Sequence, residues 1–297
     1  MGTDVHIVLV GERTSAIAKD AQARIGDLEA RWSRFIATSE VSRLNANAGY
    51  PSVCSPETVA LVRRAIDAWR VTGGRFDPTV LGAVMRAGYD ATFDSLPATR
   101  ADVGTHDNRT TGTDRIVVDP ITNVVMLPAN VGFDPGGIGK GLAADIVSGE
   151  AMAAGAEGAC VNVGGDVRVR GSSPNGNAWQ VDVLDPIDPL LVRSAVVLAD
   201  GAVATSSRAR RAWTVGSQRR HHLLDPANGS PVENDVVAVT VVASDGWRAE
   251  VLAKAAFVSG VREGLGFLDR SGVEGAIFDT NGALHTTTGW DVFAAAA

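Results

Sequence analysis

The chain has 297 residues and a formal net charge of −7. Its hydrophobic content of 45% and charged content of 21% are typical of a globular protein, and its length permits one large domain or two interlocked lobes. No run of about 18 apolar residues occurs, so no integral membrane segment is expected. The negative charge argues against sequence-independent nucleic-acid binding, which requires clustered Lys and Arg.

Cysteine usage and the N-terminus bear on the cellular compartment. Cys54 and Cys160 lie in unrelated contexts and form neither a disulfide framework nor a zinc-binding pattern. An apolar strand follows Met1-Gly2-Thr3-Asp4 without the charged and apolar regions of a signal peptide. As given, the sequence predicts a cytoplasmic protein, or an extracytoplasmic one if the N-terminus was trimmed.

Hydrophobic periodicity predicts the secondary structure in chain order. Residues 5–10 alternate as in a strand, and apolar residues then recur at helical spacing from Ile17 to Phe35. Ser55-Pro56-Glu57 is typical of a helix start, and Gly73-Gly74 marks the end of that helix. A hairpin is predicted from residues 115–119 and 123–127, and a helix at residues 247–258. Further strands are predicted at residues 159–169, 179–184, 194–198, 212–215, 236–242 and 276–278. Because strands and helices are grouped rather than strictly alternating, the pattern favours an α+β fold.

A glycine-rich loop at residues 132–141 leads into an apolar helical segment. Backbone N–H groups and the dipole at a helix start attract anions, so the loop predicts a phosphate site, with a ligand-free turn as the alternative. Asp134 and Gly141 stand where a Walker A loop needs Gly and Ser or Thr, and Leu142 breaks the dinucleotide fingerprint. Lys140 supports the phosphate interpretation because the 27 basic residues include only two other lysines, Lys19 and Lys254.

Five segments, in order along the chain, together resemble the ApbE-type flavin transferases. They are Met1-Gly2-Thr3; Trp32-Ser33-Arg34-Phe35 with residues 39–45; Phe76-Asp77-Pro78-Thr79-Val80; the glycine-rich loop with Val161-Asn162-Val163-Gly164-Gly165-Asp166; and Ala204-Thr205-Ser206 followed by residues 222–226, Gly229 and Pro231. The resemblance implies a single domain over residues 1–297. It also implies an α+β fold of mixed, largely antiparallel sheets with flanking helices, forming two interlocked lobes with a FAD cleft between them.

The resemblance also implies an activity. Enzymes of this type transfer the FMN moiety of FAD to a Ser or Thr hydroxyl of a target redox protein through a phosphoester bond, and they release AMP. Two alternatives remain open at this stage. One is a flavoprotein that binds or stores FAD without transfer, and the other is a pyrophosphatase that hydrolyses FAD to FMN and AMP.

The resemblance assigns roles to individual residues. Lys140 and the backbone N–H groups around Gly137 and Gly139 suit the diphosphate, and His222 is the candidate base for the incoming hydroxyl. Asp225 either orients His222 or builds a turn, and His221 is assigned to the opposite side of the strand. Contacts to FAD are implied at Met1, Phe35, Ser39, Asp77, Ala87, Gly88, Tyr89, Asp134, Gly137, Lys140, Gly165, Asp166, Ser206 and His222.

The chain departs from the family pattern at two places. Ala87 stands where the family usually has an aromatic residue, so one flavin-stacking contact is expected either to be weaker or to come from Phe35 or Tyr89. Glu250 and Lys254 stand where the family has Asp and Thr as magnesium ligands. We expect a retained but weaker Mg²⁺ site with Glu250 and the Gly137 carbonyl, and a protonated Lys254 that does not coordinate. The open alternative is loss of the metal, with the Lys254 ammonium supplying its positive charge at the diphosphate. The alternative for Glu250 and Lys254 is an exposed salt bridge between residues four apart on a helix.

Overall fold

A computed structural model describes residues 2–102 and 107–294. The FAD contact expected at Met1 lies outside the described residues. The helices are α1 (Thr14–Trp32), α2 (Glu40–Ala46), α3 (Pro56–Val71), α4 (Leu81–Arg86), α5 (Gly139–Ala153), α6 (Gly246–Ser259) and α7 (Val261–Arg270). Single turns of 3₁₀ helix occur at Phe93–Ser95, Thr113–Arg115 and Trp290–Val292. No helix within the described ranges is long and apolar enough to cross a membrane.

The strands are mostly short and pair almost entirely in antiparallel fashion. They are β1 (Val5–Val10), β2 (Ser52–Val53), β3 (Thr99–Arg100), β4 (Val117–Asp119), β5 (Val124–Met126), β6 (Gly158–Val163), β7 (Asp166–Gly171), β8 (Trp179–Leu184), β9 (Val192–Leu198), β10 (Gly201–Ser207), β11 (Ala212–Val215), β12 (Gln218–His221), β13 (Leu224–Asp225), β14 (Ser230–Pro231), β15 (Val236–Ala243), β16 (Glu274–Asp279) and β17 (Leu284–Thr286). The exception among the named strands is the parallel pair β3 and β11. The predicted α+β class is therefore confirmed.

The sequence-based prediction missed the helices α2, α4 and α7, the strand β10 and the two-residue strands β2, β3, β13 and β14. Gly264 and Gly266 lower the helix propensity of α7, although Gly264 is required by packing, since a Cβ there would lie 2.7 Å from the Ala256 carbonyl oxygen. Strand β10 consists of small residues, Gly-Ala-Val-Ala-Thr-Ser-Ser, and lacks the bulky β-branched pattern that identifies a strand.

The described chain divides into two compact units. Within the described residues, one unit comprises residues 2, 28–102, 107–139 and 210–233, and the other comprises residues 3–27, 140–209 and 234–294. We call them the loop unit and the sheet unit. The prediction of a single domain over residues 1–297 stays a prediction.

The sheet unit is organised around a seven-stranded sheet with the order β1-β6-β7-β10-β15-β16-β17. Helix α6 packs on β10 and β15. Trp179, Val196 and Leu198 of the β8–β9 hairpin belong to the same buried cluster as Val203 of β10 and Phe278 of β16. All eight residues of β15 are buried, as expected for a strand covered on both faces.

The loop unit contains short sheets and the helices α2, α3 and α4. Ser55 caps α3 by accepting a hydrogen bond from the Thr58 N–H, as its sequence predicted. The three-stranded sheets have the orders β2-β5-β4, which contains the predicted hairpin, and β12-β11-β3. A buried cluster of Ala83, Val84, Ala87, Tyr89, Trp213, Val215 and Leu224 joins α4 to the second of these sheets.

Candidate active site

The first N–H groups of helix α5 already have acceptors in the protein. The N–H groups of Ile138 and Gly139 donate to the Pro135 carbonyl at 3.0 and 2.8 Å, and the Gly141 N–H donates to Glu250 Oε2 at 2.9 Å. The Glu250 carboxylate therefore serves as the anion at this helix start. This differs from the sequence-based expectation for Gly139, whose N–H is engaged within its own loop.

The Lys140 ammonium lies between two buried carboxylates. Its Nζ is 2.7 Å from Glu250 Oε1 and also donates to Asp166 Oδ2. Asp166 is 2% and Glu250 3% exposed, whereas the Lys140 side chain keeps 18% of its surface accessible. An ammonium has three N–H donors, so one donor remains for an anionic ligand.

Electrostatics keep this lysine charged. Burial by itself would lower the pKa of Lys140, but the negative charges of Asp166 and Glu250 outweigh burial and raise it above its usual value. Burial raises the pKa of Asp166; Lys140 opposes this rise and Glu250 adds to it. The Lys140 ammonium thus pairs with both carboxylates and stays charged at neutral pH.

The structure gives Asp166 and Gly165 roles within the protein. The sequence had left two roles open for Asp166 and had suggested only a FAD contact for Gly165. Asp166 was expected to face the ligand or cap a hairpin, and instead it forms the ion pair with Lys140. Gly165 adopts a φ of 98° in the turn between β6 and β7, and its N–H donates to Asn162 Oδ1 at 2.8 Å. A left-handed φ favours glycine, which explains this residue without a ligand.

The residues present fit a magnesium ion poorly. Both Glu250 oxygens accept from nitrogen donors, so a cation bound there would lie beside the Lys140 ammonium. Glu250 is buried and pairs with Lys140, so the exposed salt bridge with Lys254 considered from the sequence does not form. Residues 2–102 and 107–294 contain no group of three or more His, Cys, Asp and Glu side chains that could hold a metal ion. Gly137 is buried within the loop.

A second buried cation lies in the loop unit, over two aromatic rings. The Arg34 guanidinium carbon is 4.1 Å from the Phe35 ring centroid and 4.7 Å from that of Tyr89. Arg34 also donates to the Tyr89 carbonyl at 2.8 Å and lies 3.4 Å from Asp134 Oδ2. Tyr89 packs in turn on Trp213, with a centroid distance of 5.5 Å. We call Arg34, Phe35, Tyr89 and Trp213 the aromatic cluster.

Exposure within the aromatic cluster distinguishes the two candidate stacking residues. Tyr89 is 8% exposed, whereas Phe35 is 36% exposed. Ala87 contributes its carbonyl, which accepts from Trp213 Nε1 at 3.0 Å, and Gly88 adopts a φ of 99° that suits glycine. Phe35 is therefore the better candidate for flavin stacking.

Three polar residues predicted as FAD contacts make hydrogen bonds within the protein. Asp134 Oδ1 accepts from the Gly136 N–H at 2.8 Å, which is the turn-forming alternative. Asp77 Oδ1 accepts from the Thr79 N–H and the Thr113 hydroxyl, each at 2.7 Å. Ser39 is 1% exposed and caps α2 through the Ser42 N–H. A fourth, Ser206, is buried on β10 opposite Val239 of β15.

The two adjacent histidines have different environments. Both ring nitrogens of His221 contact the backbone, with Nε2 3.1 Å from the Val232 carbonyl and Nδ1 accepting from the Leu223 N–H at 3.3 Å. His222 follows the last residue of β12 and is half-buried. His221 is therefore a structural residue, and His222 remains the candidate base.

Asp225 takes the turn-building role of the two considered. Its Oδ1 accepts from the Ala227 N–H at 2.9 Å, and its Oδ2 accepts from Asn228 Nδ2 at 3.0 Å. The carboxylate thus shapes the turn between β13 and β14.

Comparison with known proteins decides the family. A family model described as ApbE family matches residues 1–278. The chain belongs to the ApbE family. The FAD:protein FMN transferase of Vibrio cholerae is 28% identical over 277 residues, covering 89% of this chain and 81% of the relative. The enzyme of the same name from Treponema pallidum is 30% identical over 252 residues, covering 77% and 67%.

Solved ApbE structures share the fold. The ApbE protein of Thermotoga maritima matches with a TM-score of 0.88 and 29% identity, covering 99% of this chain and 97% of that one. The flavin transferase ApbE of Vibrio cholerae matches with a TM-score of 0.83 and 23% identity, covering 99% and 96%. The sequence resemblance to this family is thereby confirmed.

Proposed function

We propose that the protein is a FAD:protein FMN transferase that modifies a Ser or Thr hydroxyl of a partner redox protein. Relatives with this name align over most of the chain, and the ApbE family match covers residues 1–278. The observation that carries the proposal is Lys140, whose side chain is 18% exposed and whose charged ammonium uses two of its three N–H donors on Asp166 and Glu250 within the described residues. Such a group suits a diphosphate oxygen.

The reaction forms one phosphoester bond and breaks one anhydride bond. The acceptor hydroxyl oxygen attacks the flavin-side phosphorus of FAD, and the bond to the AMP phosphate oxygen breaks. FMN is then attached to the acceptor, and AMP leaves. Catalysis of such a step depends mainly on positioning and on neutralising charge at the phosphate oxygens, which is the role proposed for Lys140.

The hydroxyl proton requires an acceptor, and we assign it to the His222 imidazole. His222 is half-buried at the end of β12, and its backbone N–H donates to the Arg211 carbonyl at 3.3 Å. His221 cannot take this role without losing its backbone hydrogen bonds, one to Val232 and one from Leu223.

Any magnesium requirement is proposed to be weak. The ammonium of Lys140 occupies the position between Asp166 and Glu250 that would otherwise attract a cation. Transfer should therefore be only partly lost in excess EDTA and should be restored by millimolar Mg²⁺. Complete loss on chelation, together with stoichiometric bound metal, would contradict a weak site.

One incubation tests the proposed function against its alternatives. The purified protein is mixed with FAD, Mg²⁺ and a set of Ser- and Thr-containing peptides, followed by mass spectrometry for an FMN adduct and chromatography for AMP. We expect an adduct with stoichiometric AMP. FMN and AMP without an adduct would identify a pyrophosphatase, and FAD binding with no products would identify a binding protein.

A further inference from the structure

Asp145 lies one helical turn beyond Gly141 on α5 and contacts the start of α6. Its Oδ1 accepts from the Gly246 N–H at 2.7 Å, and its Oδ2 accepts from the Trp247 N–H at 3.0 Å. Asp245 occupies the N-cap position of α6 but makes no side-chain cap hydrogen bond. The cap of α6 is thus supplied from another helix, by Asp145.

The charge of Asp145 is held in a buried network. The side chain is 11% exposed, and burial raises its pKa even though two N–H groups favour the carboxylate. Arg168 Nε lies 3.2 Å from Oδ1, and the Arg168 side chain is 3% exposed and also pairs with Asp200. Burying a charged carboxylate costs free energy, and this cost is offset only while the two N–H groups and Arg168 remain in contact with it.

Two glycines let the starts of α5 and α6 touch. A Cβ on Gly141 would lie 2.3 Å from the Gly246 carbonyl oxygen, and a Cβ on Gly246 would lie 2.6 Å from the Gly141 carbonyl oxygen. Any larger residue at either position forces the two helix starts apart. The contact is therefore fixed by shape as well as by the Asp145 cap.

This junction determines where Glu250 lies. Glu250 is four residues after Gly246, one turn along α6, and it reaches both the Gly141 N–H and Lys140 Nζ on the first turn of α5. We propose that Asp145 is a positioning residue for FMN transfer: by capping α6 against α5, it holds Glu250 where it orients the Lys140 ammonium. This inference rests on the proposed function for its kinetic consequence, but its structural step can be measured alone.

The first experiment replaces Asp145 by Asn. The Gly246 and Trp247 N–H groups donate to different Asp145 oxygens, and Asn replaces one of these oxygens by an NH2 donor, so the cap is weakened while size is kept. The matched control is Asp279→Asn, because Asp279 also accepts two backbone N–H groups, from Asn281 and Ala283, and also pairs with a cationic side chain, His285. Both aspartates belong to the sheet unit.

The direct measurement is the ammonium signal of Lys140. The chain has only three lysines, Lys19, Lys140 and Lys254, so a protein grown with ¹⁵N-labelled lysine gives a spectrum that Lys140→Met assigns. We expect Asp145→Asn to shift or broaden the Lys140 signal and to lower kcat for transfer by about 10- to 100-fold, as expected for a misplaced group. Asp279→Asn should leave both unchanged.

A second variant covers the case in which Asp145→Asn does not fold. Gly246→Ala separates the helix starts without removing a charge and should give the same change in the Lys140 signal and in kcat. Gly149→Ala is its control on α5, because a Cβ there meets nothing within 4 Å.

If Asp145→Asn or Gly246→Ala folds with an unchanged Lys140 signal and unchanged kcat, Asp145 is only a stabilising cap and the proposal is overturned. If the wild type makes no FMN adduct, the proposed function fails, while the Lys140 signal still decides the structural step.

Discussion

Lys140 in the sheet unit and Arg34 in the loop unit are cationic residues that are held in different ways. In the sheet unit, the Lys140 ammonium pairs with the Asp166 and Glu250 carboxylates. In the loop unit, the Arg34 guanidinium lies over the rings of Phe35 and Tyr89, with a carboxylate, Asp134, at 3.4 Å.

The two cations differ in the neighbouring groups that stay buried when the cation is removed. Loss of Lys140 leaves two carboxylates buried without a counter-charge, which is strongly unfavourable. Loss of Arg34 leaves mainly neutral rings, which can stay buried. Lys140 therefore stabilises the folded protein in addition to its role in the anion site. Arg34 contributes less to the free energy of unfolding, through its cation–π contacts.

Both cations are binding and structural elements, so the proton transfer must involve another group. We expect His222→Ala to reduce FMN transfer by about 10²- to 10⁴-fold with little change in FAD affinity, because a general base acts on the incoming hydroxyl. Single-turnover transfer and FAD titration measure the two effects separately.

His221→Ala is the matched control for His222. It should lower the free energy of unfolding by about 1–3 kcal/mol, because Val232 and Leu223 lose their hydrogen-bond partners. If His221→Ala reduces transfer more than His222→Ala does, the assignment of the two histidines is reversed.

Lys140→Met tests the carboxylate side of the comparison. We expect the free energy of unfolding to fall by about 3–5 kcal/mol, together with loss of FAD binding, because Asp166 and Glu250 stay buried. Urea denaturation measures the first effect. Lys19→Met, at an exposed position, should change stability by less than about 0.5 kcal/mol.

Adding Glu250→Gln to Lys140→Met sharpens this test, because it removes one of the two uncompensated charges. The double variant should be more stable than Lys140→Met alone. An equal or larger loss would show that the two carboxylates are not strained by the missing ammonium.

Arg34→Met tests the aromatic side and should have a smaller effect. We expect about 2 kcal/mol of lost stability, because the cation lies over two rings and is 7% exposed. Differential scanning calorimetry measures the loss, with Arg63→Met at an exposed position as the control. A loss as large as that of Lys140→Met would remove the distinction between the two cations.

The smallest expected effect is that of Ser39→Ala. Ser39 resembles a ligand contact in the sequence, but its hydroxyl caps α2. We expect about 1 kcal/mol of lost stability and an unchanged FAD dissociation constant. A tenfold weaker affinity for FAD, with unchanged stability, would return Ser39 to the binding site.

The sequence predicted the start of α5 because its signals are local, namely glycines, a lysine and an apolar period. It did not predict that the N–H groups there are occupied, because Glu250 lies 109 residues away from Gly141. The same limit applies to the aromatic cluster, in which Trp213 contacts the Ala87 carbonyl across 126 residues. Contacts that close long loops have no signature within a sequence window.

Ser39 shows a different limit of sequence-based prediction. Its capping role was visible locally, since Ser followed by a short helical segment is an N-cap pattern, yet the family resemblance led to a ligand role. The helix α2 was missed with it. The capping hydrogen bond is observed, and the ligand role of Ser39 stays a prediction.

The buried strand β15 has a consequence for the newly made chain. Its sequence, Val-Val-Ala-Val-Thr-Val-Val-Ala, carries no charge and no proline, which is the composition of segments that form intermolecular β-structure. One neighbour, β10, precedes it in the chain, but the other, β16, begins at Glu274. During synthesis, one edge of β15 therefore has no partner strand until β16 has been made. Unpaired strand edges promote aggregation, so the chain is most prone to aggregate during this interval.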